Sequence, residues 1–231
     1  MNGASMWCVV PAAGRGTRVG GQVPKQYLAL GDRPLLWHTL QRLSAQAQIA
    51  GLLVVLDAAD AQWPGWTTCN GMPVRTTTGG VERCNSVLAG LEALPASVGA
   101  EDFVLVHDAA RPCVRTADIT RLIQLGTRAD GGLLGAPVRD TLKRADASGC
   151  SMLTEARERR WRAFTPQLFR RAQLTAALRA AQCDGVIVSD EAMAMERAGF
   201  SPLLVEGAED NLKVTTPADF ALAEFLLART A

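Results

Sequence analysis

The residues with the clearest capacity for chemistry lie in a loop of small and basic side chains near the N terminus. An apolar run ends at Pro11, and the sequence Ala-Ala-Gly-Arg-Gly-Thr-Arg follows at 12–18. Small side chains let backbone N–H groups approach a phosphate or a base closely. Arg15, Arg18 and Lys25 fall within eleven positions of one another, so a curled loop can aim several cations at one triphosphate. The loop therefore predicts phosphate or nucleotide binding.

The same glycines invite comparison with two other phosphate-binding motifs. The dinucleotide fingerprint would need a third glycine at position 19 after Gly14 and Gly16, but here it falls at Gly20. Pro24 also prevents a long uninterrupted helix from following the loop. A Walker P-loop ends in Gly-Lys-Ser/Thr, and this loop lacks that ending. The pattern favours neither motif, and a nicotinamide-dependent dehydrogenase remains a weaker alternative.

A second polar cluster lies in the middle of the chain. The motif His-Asp-Ala-Ala-Arg-Pro at 107–112 comes directly after the apolar residues 103–106. Ligands of open α/β sheets bind at the carboxyl ends of strands, where this motif is expected to lie. Aspartate is also common in turns, which is the structural alternative for Asp108. A charge directly after four apolar residues nevertheless favours a functional role.

Three further segments are ambiguous on their own. Gly79 and Gly80 precede a predicted helix over 81–94, whose positive end can bind a base or phosphate, although a glycine pair also simply makes a turn. Ser189 opens a helical stretch and is equally explained as an N-cap. An isolated lysine such as Lys213 is typical of a solvated surface charge.

Short apolar runs define the strands that must position these residues. Runs without polar alternation are typical of strands covered on both faces. They lie at 7–10, 52–56, 103–106, 133–138, 186–188 and 203–205. Amphipathic helical stretches separate them, which predicts one α/β domain over residues 1–231, with a mostly parallel central sheet and helices on both faces.

Two segments differ from this alternation. The last helix is predicted to begin at Pro217, with Thr216 as its cap and Asp219 near its positive end. Residues 139–163 are rich in arginine and lysine and show little apolar periodicity. This second segment is predicted to protrude from the sheet.

The overall composition limits the kinds of partner. With 24 basic and 23 acidic residues the net charge is +1, which gives no molecule-wide field for nucleic acid or membrane surfaces. The six cysteines form no C-x-x-C pair, which argues against a zinc or redox site and is typical of free thiols in a reducing compartment. No apolar run approaches the ~18 residues of a membrane span, and no secretory signal is evident. We expect a soluble, cytoplasmic protein without nucleic-acid or membrane partners.

Taken together, motifs spread over nearly the whole chain resemble the 2-C-methyl-D-erythritol 4-phosphate cytidylyltransferase family. They lie at 11–18, 24–27, 86–90, 107–112, 136–141, 165–167 and 210–213. The first motif is shared by many sugar nucleotidyltransferases. Its combination with the histidine-aspartate motif, Thr-Pro-Gln at 165–167 and Lys213 is much narrower.

The resemblance implies a Rossmann-like nucleotidyltransferase that transfers a cytidylyl group from CTP to 2-C-methyl-D-erythritol 4-phosphate in non-mevalonate isoprenoid synthesis. It also implies Mg²⁺, bound mainly through the CTP phosphates, and a homodimer. In that dimer residues 139–158 form a protruding β-arm that reaches the neighbouring site. The protein ligands of the metal stay unknown. The alternatives are a cytidylyltransferase acting on ribitol 5-phosphate and a nucleotide-binding sensor that performs no transfer.

The resemblance further implies roles for individual residues. Those expected to hold the triphosphate and the transition state are Arg18, Lys25 and Lys213. Those expected to line the cytidine pocket are Ala12, Ala13, Gly14, Gly80 and Ser86. Those expected to bind the polyol phosphate or the ribose are Asp108, Arg111 and Ser189, together with Thr141 and Arg157 of the partner subunit.

Two positions depart from the family pattern. Val81 stands where the family often has an acidic residue, which removes one possible polar contact to the nucleotide. Ser189 stands in a place often held by threonine and keeps the hydroxyl group.

Overall fold

Strands and helices alternate along the chain. The computed structural model of the protein describes residues 6–14 and 23–229. The strands are β1 (Met6–Pro11), β2 (Ala29–Leu30), β3 (Arg33–Pro34), β4 (Ile49–Leu56), β5 (Thr68–Cys69), β6 (Met72–Thr78), β7 (Phe103–Val106), β8 (Gly132–Pro137), β9 (Leu142–Ala145), β10 (Ser151–Glu155), β11 (Trp161–Arg170) and β12 (Leu203–Glu206). The helices are α1 (Leu35–Ser44), α2 (Arg83–Glu92), α3 (Thr116–Gly126), α4 (Arg171–Cys183), α5 (Glu191–Arg197) and α6 (Pro217–Arg229), and a 3-10 turn spans Lys25–Tyr27.

An eight-stranded sheet forms the centre of the fold, in the order β12-β8-β11-β7-β1-β4-β6-β5. The pairs β12–β8, β7–β1, β1–β4 and β4–β6 are parallel. Strand β11 is antiparallel to β7 and to β8, and β5 is antiparallel to β6. The prediction of a mostly parallel sheet is confirmed. Because β1 and β7 run in the same direction, the loops after Pro11 and Val106 leave the sheet side by side.

Helices cover both faces of the sheet because successive strand residues point to opposite sides. Cys8 and Val10 of β1 belong to the core that packs under α1 and α3. Val9 belongs to the other core, which α2, α4 and α5 cover. The apolar runs lack polar alternation for this reason, as predicted.

Five of the six predicted strands are present, and the one at 186–188 is wrong. Helix α4 ends at Cys183, and Gly185, two residues later, has a φ of +68°. Gly185 N–H donates to Gln182 O, and Val186 N–H donates to Ala181 O. This pattern is a Schellman C-cap, which commonly places an apolar residue directly after the glycine. Val188 is buried against helices and Ile187 is 66% exposed, so this run caps a helix rather than entering the sheet.

The segment predicted to protrude contains an exposed hairpin. Among residues 6–14 and 23–229, strands β9 and β10 pair only with each other, as a separate antiparallel two-stranded sheet. Arg144 Nε lies 2.8 Å from Glu155 Oε1 across the hairpin. Asp146 Oδ1 accepts hydrogen bonds from the Ser148 and Cys150 N–H groups and closes the turn. A protruding β-arm is therefore present, within residues 139–158.

The last helix begins where the sequence predicts. Asp219 N–H donates to Thr216 Oγ1 at 3.3 Å, and Asp219 Oδ2 accepts the Thr216 N–H at 2.7 Å. These reciprocal bonds satisfy N–H groups that the helix leaves without partners. None of the helices in the described ranges has the length and apolar character needed to cross a membrane.

Candidate active site

A cleft of about 170 Å³ opens at the carboxyl ends of β1 and β7. Small residues after β1 and a group of charged side chains line it. The predicted site residues that it brings together are Ala12, Ala13, Gly14, Lys25, Gly80, Ser86, Asp108 and Lys213. The cleft therefore unites motifs from four separate parts of the chain.

Other predicted site residues lie elsewhere. Arg18 lies outside the described residues. Arg111 is buried beside Asp108 rather than lining the cleft. Ser189 is exposed, and its hydroxyl contacts Met193 Sδ at 3.6 Å. Thr141 and Arg157 are exposed near the hairpin, where Arg157 donates a hydrogen bond to Arg139 O.

The loop after β1 is held by hydrogen bonds to its backbone. Ala12 N–H donates to Val55 O at 2.8 Å and so continues the pairing with β4. Gln26 Nε2 donates to Ala12 O at 2.7 Å. Gln26 thereby ties the start of the loop to the 3-10 turn that carries Lys25.

Gly79 and Gly80 are required by close packing. A Cβ at Gly79 would lie 2.6 Å from Ser86 Oγ, and a Cβ at Gly80 would lie 2.5 Å from Asn85 Cβ. Ser86 Oγ lies 3.2 Å from both Gly80 O and Glu82 O, which share its one hydrogen. The glycine pair thus allows the first turn of α2 to fold back against the cleft wall.

The start of α2 differs from the prediction. The helix begins at Arg83, so Val81 lies in the preceding turn and is 98% exposed. Val87 and Leu91 are buried, whereas Val81 is not. Val81, Glu82 and Arg83 all line the cleft.

Two lysines approach each other from opposite ends of the chain. Lys25 Nζ donates to Val214 O at 3.1 Å, directly after Lys213. Val214 N–H in turn donates to Ala110 O at 2.8 Å, which attaches this segment to the loop after β7. Both ammonium groups therefore lie at the same cleft.

Asp108 is the centre of the charged group. Lys213 Nζ lies 2.9 Å from Asp108 Oδ2, and Arg83 Nε lies 2.9 Å from Asp108 Oδ1. Arg111 Nε lies 3.5 Å from Oδ2. Burial acts to raise the pKa of Asp108, but the charges of Arg83, Lys213 and Arg111 outweigh it and hold the pKa well below its usual range. The carboxylate is therefore ionised at neutral pH.

Sequence reasoning missed the pair of Arg83 and Glu191. The two terminal nitrogens of Arg83 donate to the two oxygens of Glu191, at 2.6 and 3.1 Å. Glu191 is 0% exposed, and burial raises its pKa against the opposing effect of Arg83. No local pattern signals this pair because its members begin two helices, α2 and α5, that are distant in sequence.

A buried network of hydrogen bonds holds the backbone at Asp108. Asp108 N–H donates to Thr165 Oγ1 at 2.9 Å, and that hydroxyl lies 3.1 Å from His107 Nδ1. His107 Nε2 lies 3.0 Å from Arg111 O, which can only accept, so Nε2 carries the proton and Nδ1 accepts from Thr165. Burial lowers the pKa of His107 to about 4, which keeps the ring neutral.

Asn211 extends this network to the segment that carries Lys213. Its Nδ2 donates to Thr165 O at 2.8 Å, and Arg111 Nη1 donates to Asn211 O at 2.6 Å. The loop after β7, strand β11 and residues 210–214 are thus joined by buried polar contacts. Such a rigid support is what a preorganised site requires.

The cleft is suited to binding polyphosphate anions. Lys25, Arg83 and Lys213 bring positive charge, of which Asp108 and Glu191 neutralise a part. Within residues 6–14 and 23–229 no three His, Cys, Asp or Glu side chains are grouped as metal ligands. The arrangement can bind and orient phosphates.

Comparison with known proteins shows which family the chain is similar to. The family model of 2-C-methyl-D-erythritol 4-phosphate cytidylyltransferase matches residues 6–229. A curated protein of that name from Xanthomonas oryzae pv. oryzae (strain PXO99A) is 60% identical over 227 residues, which cover 97% of this chain and 83% of the relative. One from Stenotrophomonas maltophilia (strain K279a) is 59% identical over 229 residues, which cover 99% of each.

Solved structures give the same result. A crystal structure of 4-diphosphocytidyl-2C-methyl-D-erythritol synthase is similar with a TM-score of 0.84 and 34% identity, covering 97% of this chain and 99% of that one. The 2-C-methyl-D-erythritol 4-phosphate cytidylyltransferase of Francisella tularensis gives a TM-score of 0.83 at 30% identity, covering 96% and 100%.

Proposed function

The chain belongs to the 2-C-methyl-D-erythritol 4-phosphate cytidylyltransferase family, and we propose that the cleft at β1 and β7 is its transfer site. The protein is a CTP-dependent nucleotidyltransferase. It transfers a cytidylyl group from CTP to 2-C-methyl-D-erythritol 4-phosphate, giving 4-diphosphocytidyl-2-C-methyl-D-erythritol and pyrophosphate. The convergence of Lys25, Lys213 and Asp108 on a wall of small residues is the observation that carries the placement of the site.

CTP binds along that wall. Ala12, Ala13 and Gly14 present little side chain, so the cytidine can contact their backbone. Gly80 and Ser86 form the opposite side, next to the positive end of α2. The apolar side chain of Val81 gives no polar contact to the nucleotide.

Lys25 and Lys213 bind the triphosphate and the transition state, together with Arg18. A phosphate oxygen of the acceptor attacks the α-phosphorus of CTP, and the bond from that phosphorus to the β-phosphate oxygen breaks. Pyrophosphate leaves with that electron pair. A phosphate monoester is already a nucleophile near neutral pH, so the site needs cations that reduce anionic repulsion rather than a serine, cysteine or general base.

The acceptor binds beside Asp108. The ionised carboxylate of Asp108 can accept hydrogen bonds from polyol hydroxyls, since the lowered pKa of Asp108 keeps it charged. Arg111 Nη1 donates to Asn211 O, so Arg111 supports the Asp108 side of the cleft. Arg83 contacts both Glu191 and Asp108, and Ser189 lies two residues before Glu191.

Mg²⁺ is proposed as the cofactor. Mg²⁺ is commonly held by one or two carboxylates together with substrate phosphates. Among the described residues that line the cleft, carboxylates belong to Glu82 and Asp108, and Asp108 is already paired with cations. The metal is therefore assigned mainly to the CTP phosphates, whose charge it neutralises when bound.

A homodimer is proposed to complete each site. Met152 is 64% exposed and Leu153 is 43% exposed on β10, which leaves apolar surface for another subunit to cover. Thr141 and Arg157 lie outside the cleft of their own subunit. Their assignment to the acceptor site of the neighbouring subunit fits this position.

Pyrophosphate release tests the function directly. We expect release with CTP and methylerythritol phosphate together and none with either alone.

An acceptor panel tests the choice of polyol, since the family match favours methylerythritol phosphate over ribitol 5-phosphate. Faster turnover of ribitol 5-phosphate would contradict the assignment. A thermal-shift comparison tests the choice of nucleotide, because a ligand that binds the native state raises the stability of the protein. Stabilisation by NAD but not by CTP plus Mg²⁺ would contradict the assignment of CTP.

A further inference from the structure

Glu191 is a fully buried carboxylate to which the transfer chemistry assigns no task. It begins α5 and is 0% exposed. A buried carboxylate is costly unless a cation pairs with it, and both of its oxygens accept from Arg83. Arg83 lines the cleft, whereas Glu191 lies behind it.

The geometry of Arg83 connects this pair to the acceptor side. The guanidinium group is planar, and its donors have fixed directions. When Nη1 and Nη2 donate to Glu191, the direction of Nε is set, and Nε meets Asp108 Oδ1 at 2.9 Å. Asp108 Oδ2 is then left for Lys213 Nζ, also at 2.9 Å.

Glu191 itself is held firmly. Asp190 Oδ1 accepts the Met193 N–H at 2.9 Å and caps α5. Gln167 Oε1 accepts the Ala192 N–H at 2.8 Å, and Gln167 Nε2 donates to Asp190 Oδ2 at 3.0 Å. The start of α5 is thereby tied to β11, which also carries the support for Asp108.

We propose that Glu191 is a positioning residue for the acceptor: it holds Arg83 on one oxygen of Asp108, so that the other oxygen faces Lys213 and the polyol. The inference rests on the proposed role of Asp108 in acceptor binding. Without Glu191, the guanidinium group of Arg83 has no fixed direction, so Nε no longer holds Oδ1 of Asp108 and the carboxylate is free to turn away from the polyol.

Steady-state kinetics of Glu191→Gln, with CTP and methylerythritol phosphate varied in turn, test the proposal. Glutamine keeps the shape but replaces one charged acceptor by an N–H₂ donor. We expect the acceptor KM to rise about tenfold, the size of one lost charge-assisted hydrogen bond, with the KM for CTP within about twofold. A purely structural role would instead lower the folded fraction and hence the apparent kcat, leaving both KM values unchanged.

Two further variants separate positioning from folding. Glu92→Gln breaks the exposed pair of Glu92 and Arg179 at the other end of α2 and is expected to leave both KM values unchanged. Arg83→Met with Glu191→Leu removes the buried pair together and leaves no buried charge unpaired. We expect this double variant to fold and to keep the raised acceptor KM.

The outcomes distinguish this inference from the proposed function. If Glu191→Gln changes only the KM for CTP or neither KM, or if the double variant recovers the wild-type acceptor KM, the positioning role is wrong. Asp108→Asn is measured in parallel. An unchanged acceptor KM in Asp108→Asn would contradict the role of Asp108 in acceptor binding. Absence of transfer by the wild-type protein would contradict the proposed function itself.

Discussion

Lys213 Nζ forms an ion pair with Asp108 Oδ2 at 2.9 Å, although the two residues come from distant parts of the chain. The contact exists because Val214 N–H donates to Ala110 O and because Asn211 Nδ2 donates to Thr165 O. A lysine that resembles an ordinary surface charge in the sequence is thus held in place before substrate binds. When the triphosphate enters, Lys213 can share its donors between Asp108 and the phosphates.

Lys25 is expected to contribute strongly to the transition state. Lys25→Ala removes a preorganised cation from the cleft, which costs at least about 3 kcal/mol, or roughly a hundredfold in kcat/KM. The measurement is pyrophosphate release under kcat/KM conditions, with circular dichroism to show that the fold is intact.

The matched control for Lys25 is a cation outside the cleft. Arg179 is exposed on α4 and pairs with Glu92, so Arg179→Ala is expected to keep wild-type turnover. Undiminished turnover by a folded Lys25→Ala protein would show that the role of Lys25 is wrong.

His107 is expected to make stability depend on pH. Burial lowers the pKa of His107 to about 4 in the folded state, below the value of about 6.5 for an unfolded histidine. Between these values the unfolded chain binds a proton that the folded chain does not, so stability rises with pH. The stabilisation is complete above about pH 6.5 and falls by an amount on the order of 3 kcal/mol as the pH decreases to about 4.

Urea unfolding of the wild type and His107→Gln at pH values across this window checks the prediction. Glu191 and Asp108 titrate in both proteins, so the difference between the two curves isolates the histidine. The variant is expected to lose less stability on acidification. Parallel curves would mean that His107 is not the group responsible.

Sequence patterning predicts those parts of the fold whose signal is local. The strand at 103–106 and the start of the last helix at Pro217 agree with the structure because apolar runs and capping residues act on their immediate neighbours. The small residues after β1 also lie at the cleft, as predicted.

Strand β11 escaped prediction because tertiary contacts satisfy its polar residues. Thr165 and Gln167 are buried, and they accept hydrogen bonds from the N–H groups of Asp108 and Ala192. In the sequence alone, a polar residue whose hydrogen-bond partner is distant along the chain cannot be distinguished from a loop residue. Glu191 was missed for the same reason, since Arg83 makes its burial possible.

Gly90 is expected to resist substitution even by the best helix former. Alanine in place of glycine inside an exposed helix gains about 1 kcal/mol. A Cβ at Gly90 would lie 2.5 Å from Val9 Cγ1 and 2.9 Å from Val55 Cγ2, where α2 crosses the sheet. Gly90→Ala is therefore expected to reduce the free energy of unfolding by about 1–3 kcal/mol, measured by urea denaturation.

A double-mutant cycle gives the control for Gly90. Val9→Ala alone leaves space in the core, which the new methyl group of Gly90→Ala can occupy. The double variant should be less destabilised than the sum of the single variants by at least about 0.5 kcal/mol. A neutral or stabilising Gly90→Ala would show that the helix can move away from the sheet.

Mixing two inactive variants tests whether subunits share a site. Lys25→Ala disables the cleft, and Arg157→Ala disables the arm that is proposed to reach the neighbour. In an equal mixture after subunit exchange, each hybrid dimer keeps one intact cleft facing one intact arm, so roughly a quarter of wild-type activity should return. Mixing Lys25→Ala with Lys213→Ala is the control, because both changes lie in the cleft and no intact cleft remains. Equal activity in the two mixtures would place Arg157 outside the neighbouring site.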